Sequence, residues 1–257
     1  MIRELVDAFS KLPQVEAIAL GGSRAGNHFD CSSDYDIYVY CTSAIAESTR
    51  RKILEELTSY VEYGNEFWEL EDNGTFRNGI DFDILYRNLE DFTAGISAVA
   101  EHFQAQNAYT TCMWHNLLTC KILYDPNQNL LKAKQRFQIP YTDELKQNIL
   151  RRGWRLLQDS MPAYSLQIRK AAKRGDLVSV NHRVAAFLET YFDLLFALNK
   201  QTHPGEKRLV ALCRETCPLL PDSFEENLNT LFRNMFTAPD CIPEDLDRIL
   251  TELGKIT

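Results

Sequence analysis

The chain of 257 residues lacks several features that define large classes of protein. It has no apolar run near 18 residues and no basic segment followed by an apolar one at its start, so we expect neither a membrane span nor a secretory signal. Its seven cysteines are odd in number and contain no Cys-x-x-Cys pair, which argues against a disulfide framework and against structural zinc. These absences predict a cytoplasmic protein whose cysteines, Cys31 among them, are reduced thiols.

Positive charge is also scarce. Lysine and arginine number 28 against 36 aspartates and glutamates, which leaves a formal net charge of −8. A surface that binds an extended nucleic acid needs clustered lysine and arginine to displace counterions, so this balance opposes such a function. With 45% hydrophobic and 25% charged residues the composition is that of an ordinary globular protein, and the length allows two domains, each with its own core.

An acidic pair follows a glycine-serine turn near the N-terminus. An apolar strand over 15–20 leads to Gly22 and Ser23, and a second strand over 36–41 begins at Asp36, two residues after Asp34. Because successive side chains of a strand face opposite ways, the two aspartates point to the same side. Two neighbouring carboxylates resist joint ionisation, and a hard divalent cation such as magnesium removes that conflict. The turn and the pair therefore predict a site for a metal-bound nucleotide.

A third acidic strand follows in the segment GIDFDILYR, where Asp81 and Asp83 alternate with apolar residues. Three carboxylates on neighbouring strands are what a two-metal phosphoryl-transfer site requires, with the ions about 3.5–4 Å apart. Asp81 and Asp83 have the same parity in the strand, so alternation alone leaves both as candidates for the third carboxylate.

The segments LGGSRA, SDYDIYVY and DFDILYR together resemble the polymerase-beta-type nucleotidyltransferase superfamily. Within it the chain is most similar to bacterial minimal and antibiotic-modifying nucleotidyltransferases with a helical C-terminal domain. The resemblance implies that Asp34, Asp36 and Asp83 bind two magnesium ions; Asp83 is preferred because the family places this acid in a run like DILYR. By the same resemblance, a nucleoside triphosphate, expected to be ATP, is held by Gly22, Ser23 and Arg24.

The reaction of this family also needs a group that deprotonates the acceptor hydroxyl. Glu69 and Glu71 alternate next to the strand that carries Asp83, and the sequence leaves open which of them faces the site; the alternative is that both are exposed charges of a hairpin. Glu189, on a helix further along the chain, is another candidate. Lys207, in the loop HPGEKR, is predicted to contact the triphosphate, and its alternative is a solvent-facing position at a helix start.

The pattern of apolar residues predicts an α+β protein of two domains. A mixed β-sheet with flanking helices occupies residues 1–126 and forms the nucleotidyltransferase catalytic domain. Residues 127–140 connect it to a helical bundle over 141–257, which is expected to close a cleft over nucleotide and substrate.

Three local predictions follow from the same patterns. A helix is expected over 44–60, and a hairpin turn is expected at Asn73-Gly74. In the second domain a long helix follows Asp176 as its N-cap. Its apolar stripe consists of Val184, Leu188, Tyr191 and Leu195, joined by Ala185 and Phe192.

The resulting hypothesis is magnesium-dependent transfer of a nucleoside monophosphate, AMP, from a nucleoside triphosphate to a hydroxyl of a small molecule. Family likeness suggests an aminoglycoside- or lincosamide-like acceptor. One alternative is a nucleotide-binding antitoxin or regulatory protein that modifies or binds a protein partner. The other is an enzyme that modifies RNA ends, which the acidic charge balance opposes.

Overall fold

The structure is a computed structural model that describes residues 1–26, 33–66 and 69–257. Cys31 lies outside these ranges, and the six described cysteines form no disulfide. The described chain divides into two compact units. The first comprises Met1–Ser97 and Met113–Ile139, and the second comprises Ala98–Cys112 and Pro140–Thr257.

The first unit is built on a six-stranded mixed sheet, as the sequence predicts. Its strands lie in the order β3-β4-β5-β2-β1-β6; β2 and β5 pair in parallel, and the other neighbours pair antiparallel. The elements in chain order are α1 (Ile2–Phe9), β1 (Val15–Leu20), α2 (Gly22–Ala25), β2 (Tyr35–Cys41), α3 (Glu47–Leu54), β3 (Thr58–Asn65), β4 (Glu71–Phe76), β5 (Asp81–Arg87), α4 (Leu89–Ala100), α5 (Cys112–Thr119), β6 (Lys121–Tyr124) and α6 (Asn129–Arg136).

The two faces of this sheet differ because apolar and polar residues alternate where β2 and β5 begin. Ile37, Val39 and Cys41 of β2 and Phe82 and Ile84 of β5 are buried on one face, together with side chains of α1 and α3. This core includes Leu5, Phe9, Ile37, Val39, Leu54, Phe82 and Ile84. The intervening residues face the other way, and the register sets Asp36 opposite Asp83 and Asn73 opposite Asp83. Burial of the apolar face thus leaves a row of polar side chains on the opposite face.

The predicted helix over 44–60 is wrong in its second half. The helix α3 ends at Leu54, and residues from Thr58 onward form β3. From Thr58 to Tyr63 the chain carries a threonine, a valine and two tyrosines, residues that favour strands, and β3 pairs with β4 along its length. Pairing with β4 therefore outweighs the helical pattern of residues 58–60.

The predicted turn at Asn73-Gly74 is also wrong, because both residues lie inside β4. The turn occurs instead at a second Asn-Gly pair, Asn78 and Gly79, where the φ angle of Gly79 is +81°. Gly74 is required for a different reason. A Cβ atom there would lie 2.4 Å from the backbone oxygen of Tyr60 on the paired strand, so only glycine fits.

The second unit is helical, as the sequence predicts. Its long helix α9 begins after Asp176, whose side chain accepts a hydrogen bond of 3.0 Å from the amide of Ser179, and Val184, Tyr191 and Leu195 of the predicted stripe are buried. None of the helices in the described ranges is long and apolar enough to cross a membrane. The helices are α7 (Asp143–Trp154), α8 (Tyr164–Lys173), α9 (Leu177–Leu198), α10 (Leu209–Thr216), α11 (Phe224–Thr237) and α12 (Ile242–Gly254).

One buried carboxylate anchors the segment 98–112 within this second unit. Asp193 of α9 is 3% exposed and accepts hydrogen bonds from the amide of Thr110 (2.9 Å) and from its hydroxyl (2.6 Å). Burial raises the pKa of Asp193 to about 6, and the two hydrogen bonds from Thr110 partly offset that effect.

Candidate functional site

Three carboxylates converge where β2 and β5 begin. Asp34 immediately precedes β2, Asp36 lies within it, and Asp83 lies opposite Asp36 on the parallel strand β5. One carboxylate oxygen from each of them lies within 4.8 Å of the others, and all three side chains are half-buried. Three negative charges at this separation repel one another. Carboxylate oxygens are also the ligands that a hard divalent cation prefers, so a bound cation would relieve this repulsion.

The structure brings Asp83, and not Asp81, into this cluster. Asp81 begins β5 in an exposed position and accepts a hydrogen bond of 2.7 Å from the hydroxyl of Thr75. Asp83 accepts one of 2.7 Å from the side-chain amide of Asn73. Asn73 in turn accepts one of 2.6 Å from the side chain of Asn65. This chain of amides holds one oxygen of Asp83 in place and leaves the other for a ligand.

The glycine turn packs directly on the acidic strand. Gly22 has a φ angle of +57°, and a Cβ atom there would lie 1.7 Å from Oδ2 of Asp36. Both the conformation and the contact require glycine at this position. The amide of Gly21 also donates a hydrogen bond of 2.8 Å to the backbone oxygen of Asp36. The predicted phosphate-binding residues Gly22 and Ser23 therefore lie next to the carboxylate cluster.

Arg24 contacts the backbone that leads into the cluster. Its Nε donates hydrogen bonds to the carbonyl oxygens of Ser33 (2.7 Å) and Asp34 (3.0 Å). Its guanidinium carbon lies 4.1 Å from the ring centroid of Tyr35. These contacts fix the residues before β2, and the predicted contact between Arg24 and a nucleotide stays a prediction.

The two glutamates that the sequence leaves open have different environments. Glu69 accepts a hydrogen bond of 2.6 Å from Nε of Arg87, so its carboxylate is held in an ion pair. Glu71 is 7% exposed, and its pKa is raised by burial and by the nearby charge of Asp83, while a hydrogen bond from Asn73 opposes the increase. Glu71 is therefore the glutamate that shares an environment with the carboxylate cluster.

A polar cavity of about 360 Å³ lies beside these residues. It is lined by Glu62, Asn65, Glu66, Glu71 and Asn73. Three of its five lining residues carry carboxylates and none carries a positive charge, so the cavity has a negative potential.

Residues 3–88 match the family model for the polymerase beta nucleotidyltransferase domain, and this range contains the glycine turn and all three aspartates. The chain carries a nucleotidyltransferase domain. Nucleotidyl transfer in general is therefore the reaction class of this protein. Residues 109–209 match a second family model, a domain of unknown function designated DUF4037, which adds no chemical information.

Solved structures also include proteins that resemble this nucleotidyltransferase. A nucleotidyltransferase-like protein from Exiguobacterium sibiricum shares 10% identity over 99% of this chain and 72% of its own, with a TM-score of 0.43. An aminoglycoside 6-adenyltransferase from Bacillus subtilis shares 11% identity over 100% of this chain and 89% of its own, with a TM-score of 0.28. Both TM-scores are low, so neither carries an argument about substrate. No curated protein matches the chain.

The remaining predicted residues belong to the second unit of the nucleotidyltransferase. Glu189 lies on α9, and its pKa is raised by burial and by the nearby charge of Glu206, while His182 opposes the increase. Lys207 is exposed in the turn before α10. The roles of Glu189 as a base and of Lys207 as a triphosphate ligand stay predictions.

We expect Gly22→Ala to impair the site of the nucleotidyltransferase. A side chain at this φ angle costs roughly 1–2 kcal/mol, and its Cβ atom displaces the carboxylate of Asp36. Calorimetric titration of magnesium and a nucleotide should show weaker binding in the variant. Gly26→Ala is the control, because its Cβ atom would approach only the backbone oxygen of Ser23, at 3.8 Å. Equal nucleotide affinities of the two variants would contradict the prediction.

Proposed function

We propose that the protein transfers AMP from ATP to a hydroxyl of a small, positively charged acceptor and uses two magnesium ions for this reaction. The observation that carries the proposal is the convergence of Asp34, Asp36 and Asp83 beside the turn at Gly22. A bound triphosphate carries negative charge that must be neutralised for nucleotidyl transfer. Three converging carboxylates can hold the divalent cations that neutralise it.

The donor set of the site fits magnesium. All three candidate ligands are carboxylates, their oxygens lie within 4.8 Å of one another, and Asn73 supports one of them by a hydrogen bond. Bound magnesium would neutralise the charge of the triphosphate and of the departing pyrophosphate. Asp34, Asp36 and Asp83 would hold the ions, and the turn at Gly22 would bring its backbone close to the phosphates.

In the proposed reaction the acceptor oxygen attacks the α-phosphorus of ATP. A new bond forms between them, the bond from the α-phosphorus to the oxygen that bridges to the β-phosphorus breaks, and pyrophosphate leaves. The proton of the acceptor hydroxyl passes to the carboxylate of Glu71, which lines the cavity near Asp83. Glu69 is less suited to this role, because Arg87 already binds its carboxylate.

The charge of the cavity supports a cationic acceptor. Its glutamates attract ammonium groups, and its volume of about 360 Å³ accommodates part of a molecule of drug size. An amino sugar of the aminoglycoside type carries both the hydroxyl and the ammonium groups that this site requires. The acceptor class that we propose is therefore a polyhydroxylated amine.

A test of the metal-nucleotide site needs no knowledge of the acceptor. The four ribonucleoside triphosphates are titrated calorimetrically into the wild type, with and without magnesium, and into the Asp34→Ala/Asp36→Ala variant. We expect magnesium-dependent binding of ATP that the variant loses while its thermal unfolding remains cooperative. If none of the four nucleotides binds to the wild type, the proposal fails and a partner-dependent function takes its place.

Glu71→Gln is expected to lower kcat by at least about 100-fold, the contribution typical of a general base. The raised pKa of Glu71 means that its carboxylate gains a proton as the pH falls through that value, so wild-type activity should decline on the acidic side at a higher pH than for an ordinary glutamate. The variant should lack this decline. Rates of pyrophosphate release measured against pH with an aminoglycoside acceptor test both expectations.

Glu62→Gln is the matched control, because Glu62 lines the same cavity in an exposed position. Its substitution should raise KM for a cationic acceptor and leave kcat and its pH dependence unchanged. An unchanged pH profile in Glu71→Gln would remove Glu71 from the mechanism.

A further inference from the structure

The turn that precedes Asp36 rests on an aromatic ring. A Cβ atom on Gly21 would lie 2.2 Å from Cε2 of Tyr38 and 2.3 Å from its hydroxyl oxygen, so the backbone of the turn lies against the phenol edge. Tyr38 follows Asp36 by two residues on β2, so both side chains lie on the same face of the sheet. Asp36 limits the space at Gly22 in the same way. Two successive side chains of one strand face thus support two successive glycines.

The ring of Tyr38 is held by polar contacts from two other elements. Nδ2 of Asn116 on α5 donates a hydrogen bond of 2.7 Å to its hydroxyl oxygen. The guanidinium carbon of Arg87, at the end of β5, lies 4.2 Å from its ring centroid. Arg87 is 8% exposed and is fixed by Glu69 (2.6 Å) and by Oδ1 of Asn116 (3.3 Å). The contacts determine both the plane of the ring and the position of its hydroxyl.

This arrangement does more than fill space. Burying the charge of an arginine costs free energy unless the charge is paired and its hydrogen bonds are made. An aliphatic residue at position 38 could fill the same space without requiring a buried arginine beside it. The neighbouring Tyr40 shows the contrast. It lies on the same strand face, is fully buried and contacts Phe92 at a centroid distance of 5.6 Å, whereas the atoms nearest to Gly21 all belong to Tyr38.

We infer that Tyr38 is a positioning residue for the nucleotide: its ring, held by Asn116 and Arg87, sets the distance between the Gly21–Gly22 turn and Asp36. The inference rests on the proposed function, in which this turn approaches the triphosphate while Asp36 holds magnesium. A turn that shifts away from the strand would separate the phosphate contacts from the metal ligands, although both sets of groups would still be present.

The test compares Tyr38→Leu with Tyr40→Leu. Both variants remove a buried phenol ring from the same strand face, so a purely structural role predicts similar losses of thermal stability and similar nucleotide affinities. We expect Tyr38→Leu to weaken binding of magnesium-ATP by roughly tenfold or more, the range seen when a residue that orients a site is lost. Tyr40→Leu should lower the melting temperature and keep the wild-type affinity. Tyr38→Phe, which keeps the ring, should recover most of the affinity.

A double substitution tests the contact itself. Gly21→Ala should weaken nucleotide binding in the wild-type background, because its Cβ atom meets the phenol of Tyr38. In the Tyr38→Leu background the same change should have little further effect, so the two effects should not add. If Tyr38→Leu fails to fold, Gly21→Ala alone gives the readout, because it moves the turn away from the ring and leaves the contacts of Tyr38 with Asn116 and Arg87 in place. Wild-type nucleotide affinity in Gly21→Ala would then overturn the inference.

The outcomes separate this inference from the proposed function. If the wild type binds no nucleotide, both are overturned. If the wild type binds magnesium-ATP and Tyr38→Leu binds it equally well, or Tyr40→Leu loses as much affinity as Tyr38→Leu, the positioning role is overturned and the proposed function stands. Additive effects of Gly21→Ala and Tyr38→Leu would likewise overturn it.

Discussion

Asp83→Asn is expected to lower kcat by more than about 100-fold, because loss of even a supporting residue at a metal site costs 10–100-fold and Asp83 is a proposed ligand. The substitution removes one of three carboxylates whose oxygens lie within 4.8 Å of one another. An amide oxygen has no negative charge, so the variant should also bind magnesium more weakly. The measurements are pyrophosphate release at saturating ATP and calorimetric titration of magnesium in the presence of ATP.

Asp81→Asn is the matched control, since Asp81 lies two residues away on the same strand face. Its exposed carboxylate accepts a hydrogen bond from Thr75 and lies outside the carboxylate cluster. We therefore expect wild-type kcat and wild-type magnesium affinity. Equal losses in the two variants would show that the whole strand, rather than Asp83, carries the effect. An active Asp83→Asn variant would contradict the proposed metal site.

Arg50→Ala is expected to destabilise the protein by roughly 3–5 kcal/mol, the cost of leaving one member of a buried ion pair unpaired. Arg50 pairs with Asp72, which is fully buried on the apolar side of the sheet. Asp72 also accepts hydrogen bonds from the amide of Gly64 (2.9 Å) and the hydroxyl of Tyr86 (2.8 Å), and these cannot replace the lost positive charge. Urea unfolding gives the free energy of unfolding.

Arg51→Ala serves as the control on the same helix. Arg51 pairs with Glu47 in an exposed position, and water replaces such a contact at little cost, so we expect an unchanged urea midpoint. If the two neighbouring arginines gave equal losses, a general effect of removing an arginine from α3, rather than the buried pair, would explain the effect at Arg50. A large loss at Arg51 alone would contradict the assignment of the buried charge.

Much of the first unit could be predicted from the sequence because its signals are local. The strand over 15–20 matches β1, and the acidic strand after it matches β2 within one residue. Alternation and family resemblance point to Asp34, Asp36 and Asp83. Both signals depend only on the order of residues along a strand, and the fold preserves that order.

The turn prediction is wrong because the same local sequence signal occurs twice. Asn73-Gly74 and Asn78-Gly79 are the same dipeptide, and only pairing of β4 with β3 and β5 determines which one forms the turn. Because the sequence predicts a turn at Asn73-Gly74, it does not reveal Asn73 as the donor to Asp83. One signal was available: the alternation that selected Glu69 and Glu71 continues to Asn73, on the same strand face.

By itself, the sequence determined the α+β class, the glycine turn and the carboxylate pair Asp34 and Asp36, because alternation, turn chemistry and charge are properties of neighbouring residues. Only the tertiary structure decided which residues meet across strands. It set Asp83 rather than Asp81 opposite Asp36, bound Glu69 to Arg87, and placed Tyr38 beneath Gly21. These contacts follow from the register of the sheet, in which a shift by one residue would turn every side chain to the other face.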